Sequence, residues 1–465
     1  MIGKRKVLIS AKEIMGLRGA HRYASLTVPQ IDTIGVKAGS RTETVAEANV
    51  PVIVLSGHTA ALGVIRALGR MGVPVVNVYY ENRDIGHVSK YVKERLYAPH
   101  PERDEEQFIN LLIDYSKRIG RALLLPADDA MLSAVSKNKQ LLENHYLVAC
   151  PDRDITERII DKKQTYALAE RIGIAAPRTL IPKSEKDLES LAGQIGYPCL
   201  VKPRQSHRYY EVFKRKLVKV QDIDEMLSAY RQASDAGIEV MLQEYIPGDD
   251  THGVNYNSYF WHGRPLVEFT AAKVRLSPTG FGVPSVVISQ EIKEVLGPGR
   301  KLLHALGFQG FSCVEFKKDA RDGTYKLMEV NGRHNRSSHL AVCCGINFPW
   351  LEYQHLIRGE IPVARDYRKN MYWIDEFSDL AWFARFSKAG RFPWIHYARP
   401  YVRTHAFAVF DMKDPMPFFK RCFDMMVMAL EHVFVTRKPN SLSVREPPLF
   451  PATQPLNTTG AQAHR

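Results

Sequence analysis

Residues 312–336 read SCVEFKKDARDGTYKLMEVNGRHNR, and the rest of the chain is organised around them. Two runs of β-forming residues, 312–316 and 325–330, flank Asp322-Gly323, a pair suited to the tight turn of a β-hairpin. Successive strand side chains point to opposite faces, so Glu329 and Asn331 share a face, joined by Arg333 if the strand runs on. On the first run Glu315 sits between Val314 and Phe316, which must point the other way. The turn brings Glu315 opposite Glu329, so two carboxylates and an amide oxygen converge beside a guanidinium. Like charges facing each other across a sheet destabilise it. A hard cation offsets that repulsion: Mg²⁺ binds through one or two carboxylates plus substrate phosphates, and Arg333 can hold a phosphate bidentately. The alternative is a hairpin face whose acids pair with neighbouring lysines. The hairpin alone leaves both open.

The chain has 465 residues, of which 45% are hydrophobic and 25% charged, enough for two or three domains and a substantial core. It contains no run of about 18 apolar residues, so no membrane-spanning helix is expected. The short apolar run at 7–10 does not read as a secretory signal. Cys150, Cys199, Cys313, Cys343, Cys344 and Cys422 lack CxxC spacing, which argues against a zinc site or a disulfide framework and fits a reducing cytosol. A formal charge of +14 raises nucleic-acid binding. The basic residues are dispersed among 50 acids, however, without an RNP or zinc-finger motif. Nucleic acid is not expected; anionic substrates or an anionic membrane surface account for the sign as well.

Residues 1–49 show no sustained period and are read as an extension. From Pro51, VPVIVLSG is a buried strand entering a glycine turn, TAALGVIRALGRMG a helix ending at Gly72, and VPVVNVYY a second buried strand. That is a βαβ unit, hence a parallel sheet. The turn Ser56-Gly57-His58-Thr59 is not GxGxxG and argues little for a dinucleotide, though its helix N-terminus can receive an anion. A helix at 105–118 and a strand at 122–126 follow, with Asp128 and Asp129 as caps of the next helix.

A new unit begins at Asp152. Asp161-Lys162-Lys163 opens a helix closed by Gly173. GYPCLVKPR (196–204) and EVMLQEYIPGDD (239–250) are strands, separated by a basic aromatic loop and a helix at 224–236. Lys202 ends an otherwise buried strand; such a charge is costly without a partner, and a triphosphate would serve. The backbone flanking Glu244 can bond an adenine edge, and Asp250, past a Pro-Gly turn, can reach a ribose hydroxyl.

Five motifs in order now resemble the ATP-grasp ligases, over about residues 51–365: Asp161-Lys162; Lys202-Pro203; Gln243-Glu244-Tyr245 with Gly248-Asp249-Asp250; Glu315; and Glu329-Val330-Asn331-Gly332-Arg333. FTAAKVRLSPTGFG (269–282) is similar to a segment of the carboxylate–amine ligase branch, related to the carbamoyl-phosphate synthetase large subunit and D-aspartate ligase. The resemblance implies an α/β and α+β chain. A parallel pre-ATP-grasp domain (50–150) precedes an ATP-grasp fold of two α+β subdomains (151–365), with 1–49 as an extension and 366–465 as a helical segment and loose tail.

The resemblance also implies roles. Lys162 and Lys202 would contact ATP phosphates, Glu244, Tyr245 and Ile246 would line the adenine pocket, and Asp250 would bind ribose. Glu315, Glu329 and Asn331 would hold Mg²⁺ (or Mn²⁺), and Arg333 would steady the transferring phosphoryl group. Lys273 and Arg275 are catalytic candidates for γ-phosphate or substrate-carboxylate contact, with a solvated strand face as the alternative. The reaction implied is an ATP-dependent joining of a carboxylate to an amine through an acyl phosphate, releasing ADP and phosphate, in the cytoplasm. An amino acid, a peptide or an envelope precursor all fit as substrates. His334, Asn335, Arg336 and Ser337 follow the metal strand and are read as facing the acceptor pocket.

One departure stands out. RQSHRYYEVFKRKL (204–217), at the place of the phosphate-covering loop, contains no glycine, so its backbone amides cannot easily cradle phosphate. Lys214 or Lys216 can substitute as cationic clamps. The alternative is an ATP-grasp-fold nucleotide-binding protein without ligase turnover. Further on, PFFKRCFDMMVMALEHVFV (417–435) reads as an apolar helix interrupted by Asp424, Glu431 and His432, suited to core or homodimer packing. Lys420, Arg421, Arg437 and Lys438 beside Phe and Met leave a peripheral membrane contact open. The residues beyond Lys438 read as a loose tail.

Overall fold

The computed structural model describes residues 50–204, 209, 212–386 and 394–436. The extension at 1–49, part of the glycine-free loop (205–208 and 210–211), and the tail with Arg437 and Lys438 lie outside the described residues.

Val52–Leu55 (β1) carries four apolar side chains, and all four are buried, as a strand covered on both faces must be. It pairs in parallel with Val75–Tyr79 (β2) and with Leu123–Pro126 (β4). Val92–Tyr97 (β3) and Leu147–Val148 (β5) complete a parallel sheet of order β3-β2-β1-β4-β5. Helices Thr59–Gly69, Glu105–Ile119 and Asp129–Lys137 follow their strands at the expected places. The β1–helix turn is tight: a side chain on Gly57 would meet Asp84 at 2.5 Å. Asn77 supports this turn from β2, its amide donating to the carbonyls of Val54 and Ser56.

A second, antiparallel sheet has the order β6-β9-β7-β8. Its strands are Thr179–Leu180 (β6), Cys199–Pro203 (β7), Val218–Val220 (β8) and Val240–Glu244 (β9). Helices Leu188–Ile195 and Ile223–Asp235 bury Leu188, Met226 and Ala229 against it.

The third sheet is the largest, with strands Gly253–Trp261 (β10), Arg264–Ser277 (β11), Val283–Ser289 (β12), Gly310–Lys318 (β13) and Tyr325–Asn331 (β14). Tyr372–Ile374 (β15) and His405–Phe407 (β16) extend its edge, giving the order β14-β13-β10-β11-β12-β15-β16. The stretch after 366 thus supplies strands as well as helices. One face of the sheet carries Val254, Tyr256, Val314, Phe316, Leu327 and Val330, which pack with Leu302, Leu303 and Leu306 of helix Leu296–Leu306. On these strands Gly253, Glu315, Lys317, Glu329 and Asn331 border a cavity.

The chain is a mixed α/β protein with one parallel and two antiparallel-based sheets among its described residues. Its last described helix, Met416–Thr436, turns Phe418 toward the core and exposes Phe419, Phe423 and Met426. Just before it, Asp414 is fully buried and bonds Arg66 of the first helix at 2.9 Å. No helix of the described residues is long and apolar enough to cross a membrane.

Candidate active site

The hairpin β13–β14 has the register that its sequence suggests: Glu315 pairs with Glu329, and Cys313 with Asn331. Asp322-Gly323 makes the connection, with Gly323 at φ 76°. Glu315, Glu329, Asn331 and Arg333 all border one cavity of 440 Å³, and Lys162, Lys202, Lys216 and Lys273 border it too. Each carboxylate has a cation beside it. Lys273, from β11, holds Glu315 at 2.5 Å, and Lys162, at the start of helix Lys162–Arg171, holds Glu329 at 3.1 Å. The Asn331 amide donates to Glu315 Oε1 at 3.5 Å. Burial works against ionising Glu329, but Lys162, Lys202 and Arg333 outweigh it and hold its carboxyl at about 2. Burial likewise opposes the charge on Lys273 and Lys162, and Glu315 and Glu329 respectively raise them despite it. Burial pulls Lys216 below the usual lysine range, and Glu329 and Glu315 offset this only in part.

Arg333 reaches this cavity from the loop after β14. Its fork is held by Asp129, with bonds of 2.8 and 2.7 Å. Asp128 behaves as the expected cap, accepting from Met131 N–H at 2.7 Å. Asp129 has a role that its sequence does not announce: from the first residue of helix Asp129–Lys137 it orients the hairpin arginine. Lys202, at the end of β7, lies 3.3 Å from Gln243 Oε1 and 3.5 Å from the Tyr166 hydroxyl.

Other expected residues sit differently. Asp250 borders the cavity, but its two carboxylate oxygens accept from Leu276 N–H at 2.9 Å and Gly280 N–H at 2.8 Å, so it fastens the loop after β11. Glu244 turns its carboxylate to Arg321, to Lys326 at 3.1 Å and to Arg178 N–H at 3.1 Å. Tyr245 lies between the ammonium groups of Lys219 and Lys317, 4.0 and 5.6 Å from its ring centre, and Ile246 is buried.

Arg275 is not on the cavity side. Along β11 the pairing runs from Lys273 opposite Val287 to Arg275 opposite Val286, with a bulge between. Neighbours on β12 point to opposite faces, so the extra residue turns Arg275 away from Lys273. It is buried, bonded twice to Asp379 at 2.8 and 2.9 Å, and stacked on Trp382 and Tyr397. Its expected contact with phosphate or substrate is corrected by this geometry to a structural ion pair. His334 is corrected likewise: it stacks on Phe311 and bonds Glu352 at 3.2 Å. Asn335, Arg336 and Ser337 do line the cavity.

A larger cavity, of 550 Å³, lies beside Arg153, Asp161, Arg204 and Glu239. Its charges are paired, Arg153 with Glu157, Arg204 with Glu239 and Asp161, and Lys137 with Glu105 outside the lining. Among the described residues its lining brings no opposed strand carboxylates together with a ring of lysines. The hairpin cavity is the one with that chemistry.

No family model matches the chain. Over 250 residues it is 27% identical to a D-aspartate ligase of Enterococcus faecium, covering 50% of this chain and 58% of that protein. Over 212 residues it is 25% identical to a D-alanine–D-alanine ligase of Pseudomonas fluorescens, covering 44% and 64%. The chain therefore spans less than two thirds of the length of these curated relatives. Among solved structures, the L-amino acid ligase of Bacillus licheniformis aligns with a TM-score of 0.53 at 20% identity, over 67% of this chain and 75% of that one. The biotin carboxylase domain of a Hydrogenobacter thermophilus 2-oxoglutarate carboxylase, solved with MgADP, aligns with a TM-score of 0.54 at 19% identity, over 69% and 73%. In sequence the chain is thus similar to D-aspartate and D-alanine–D-alanine ligases, and in fold it resembles the ATP-grasp ligases of the carboxylate–amine ligase group.

Proposed function

We propose that this chain is an ATP- and Mg²⁺-dependent ligase that joins a carboxylate to an amine, releasing ADP and phosphate. The observation that carries the reading is the opposed pair Glu315 and Glu329 in a cavity ringed by Lys162, Lys202, Lys216, Lys273 and Arg333. Glu315, Glu329 and Asn331 offer hard oxygen donors, which suit Mg²⁺ or Mn²⁺. When bound there, the ion supplies charge neutralisation for the phosphates. The surrounding lysines complement a triphosphate, and Arg333 supplies two parallel N–H donors for an oxyanion.

In this reading a carboxylate oxygen attacks the γ-phosphorus and the bond to the ADP oxygen breaks. The amine nitrogen then attacks the carbonyl carbon of the acyl phosphate, loses a proton, and phosphate leaves. The protein's contribution is positioning and electrostatics rather than covalent help. Lys216, from the loop that lacks glycine, takes over with a side chain what backbone amides cannot do there. The relatives' names favour amino-acid-like substrates. The free thiols of all six cysteines fit the cytoplasm.

ADP release with Mg·ATP, across a panel of amino acids and carboxylates, tests this for wild type against Glu329→Gln. Turnover that needs both an acid and an amine, and collapses in the variant, is the expected result. AMP formation would sink the mechanism. Nucleotide binding without turnover in every mixture would favour the second reading, a binding protein, to which the glycine-free loop points.

A further inference from the structure

The last described helix, Met416–Thr436, is fastened to the rest of the protein largely by polar contacts and turns an apolar seam outward. Just before it, Asp414 accepts from Arg66 Nε at 2.9 Å, from Ser89 Oγ at 2.8 Å and from Lys90 N–H at 2.8 Å. Along the helix, Lys420 Nζ donates to the carbonyl of Asn82 and to Asp424, both at 2.8 Å, and Arg83 reaches Glu431 Oε2 at 3.2 Å. Phe418 packs inward, on Phe377 and Phe410. Met416, Phe419, Phe423, Met426 and Leu430 do the opposite, each between 50% and 58% exposed. A surface helix ordinarily buries its apolar stripe and shows its charges to water. This one is turned round.

The five exposed residues are spaced three, four, three and four apart. That is the a/d repeat of a coiled-coil seam, narrower than the face a helix lays on a core, and a second helix completes it. The edges of the seam say which helix. From 412 to 431 the exposed charged residues are one cation, Lys413, and one anion, Glu431, at opposite ends. Among the described residues this face has no excess of positive charge to hold an anionic bilayer, and Lys420 is spent on Asp424. An antiparallel second copy, in contrast, lays Lys413 beside the partner's Glu431. The same register sets Phe419 against the partner's Phe423 and Met416 against the partner's Met426. Such a pairing is self-complementary, as a two-fold interface must be. Half-exposed side chains of this size leave about 100 Å² apiece, so with Met412 the two copies would cover about 1,200 Å², the lower end for a stable protein interface.

We propose that helix Met416–Thr436 is a homodimer interface, pairing antiparallel with the same helix of a second copy about a two-fold axis near Cys422. The proposal is independent of the ligase reading. Cys422 is exposed, flanks the seam and lies close to the axis, which brings the two Cys422 thiols within reach of one another.

Sedimentation velocity of the full chain at about 50 μM, above the micromolar Kd that an interface of this size supports, should show a dimer. Phe423→Glu sets two carboxylates into the seam and should weaken association about 100-fold or more. Because Phe423 is exposed within one copy, this variant should melt with wild type; if it fails to fold, Met426→Glu replaces it. A short bis-maleimide should join wild-type chains through Cys422, and Cys422→Ser should abolish the product. Lys413→Glu should loosen the dimer, and adding Glu431→Lys should restore it, which only the antiparallel register explains. Absence of that rescue, or a dimer indifferent to Phe423→Glu, overturns the proposal. So does a chain that stays monomeric at 50 μM, whether it leaves phosphatidylglycerol vesicles alone or binds them through Phe423.

Discussion

Glu315 and Glu329 stand opposite one another on β13 and β14, yet each is neutralised from elsewhere, by Lys273 and Lys162 respectively. The two lysines come from different elements, one a strand of the same sheet and the other the start of a helix. Both readings of the hairpin, metal ligands or lysine-paired acids, therefore meet in one arrangement. A metal ion on the carboxylates would release both ammonium groups to the phosphates that accompany it.

From this exchange comes a prediction about Glu329→Gln. The substitution removes one of two charges that attract Mg²⁺ and repel a naked triphosphate. Turnover should fall by about 100-fold or more, and the dependence on Mg²⁺ should shift to higher concentration. ATP titrated without any divalent ion should bind at least as tightly as to wild type, because Lys162 is freed. Calorimetry with and without Mg²⁺ checks both arms; weaker metal-free binding in the variant would contradict the exchange.

Asp129 gives a second prediction. Its carboxylate is mostly exposed, so the pair with Arg333 contributes little to stability. Its effect is on where the guanidinium points. Asp129→Ala should leave the melting temperature within about 2 °C of wild type and lower kcat by about tenfold, with the KM for ATP little changed. A large loss of stability with normal kcat in the folded fraction would make the pair structural.

Arg275 reverses that expectation. Paired with Asp379 in the interior, it leaves a buried, uncompensated carboxylate when removed. Arg275→Met should cost about 3–5 kcal/mol of stability. At temperatures where the variant stays folded, its KM for ATP should match wild type. Denaturant unfolding alongside initial rates tells a structural arginine from a catalytic one.

The contrast between Glu315 and Arg275 shows what the sequence could reveal. The hairpin register was readable because Asp322-Gly323 fixes the turn and the alternation of apolar and polar residues fixes the face. Lys273 and Arg275 also sit two apart, which on a regular strand puts them together. A bulge undoes this, and no residue type at 273–275 announces it. By its position Asp129 reads as a helix cap, which its neighbour Asp128 is. Its partner lies 204 residues away, a distance that local pattern cannot bridge.

His58 allows a prediction with a pH sign. It stands at the N-terminus of helix Thr59–Gly69, with Nδ1 2.7 Å from Asp84 and Nε2 3.2 Å from the Tyr80 hydroxyl, which donates to Asp128 at 2.9 Å. Burial opposes its protonation, but Asp84 foremost, then Asp128 and Glu81, more than offset this, and its pKa lies above the ordinary 6.5. The folded state therefore holds the proton more tightly than the unfolded chain does. The resulting stabilisation is complete below the unfolded value and fades as pH rises through the folded one. Replacing the imidazole removes this contribution, so His58→Gln should lose more stability relative to wild type at about pH 5.5 than at about pH 8.5. Urea midpoints for both proteins at the two pH values measure the difference. An equal gap at both would mean that the Asp84 contact holds the ring by hydrogen bonding alone, with no charge involved.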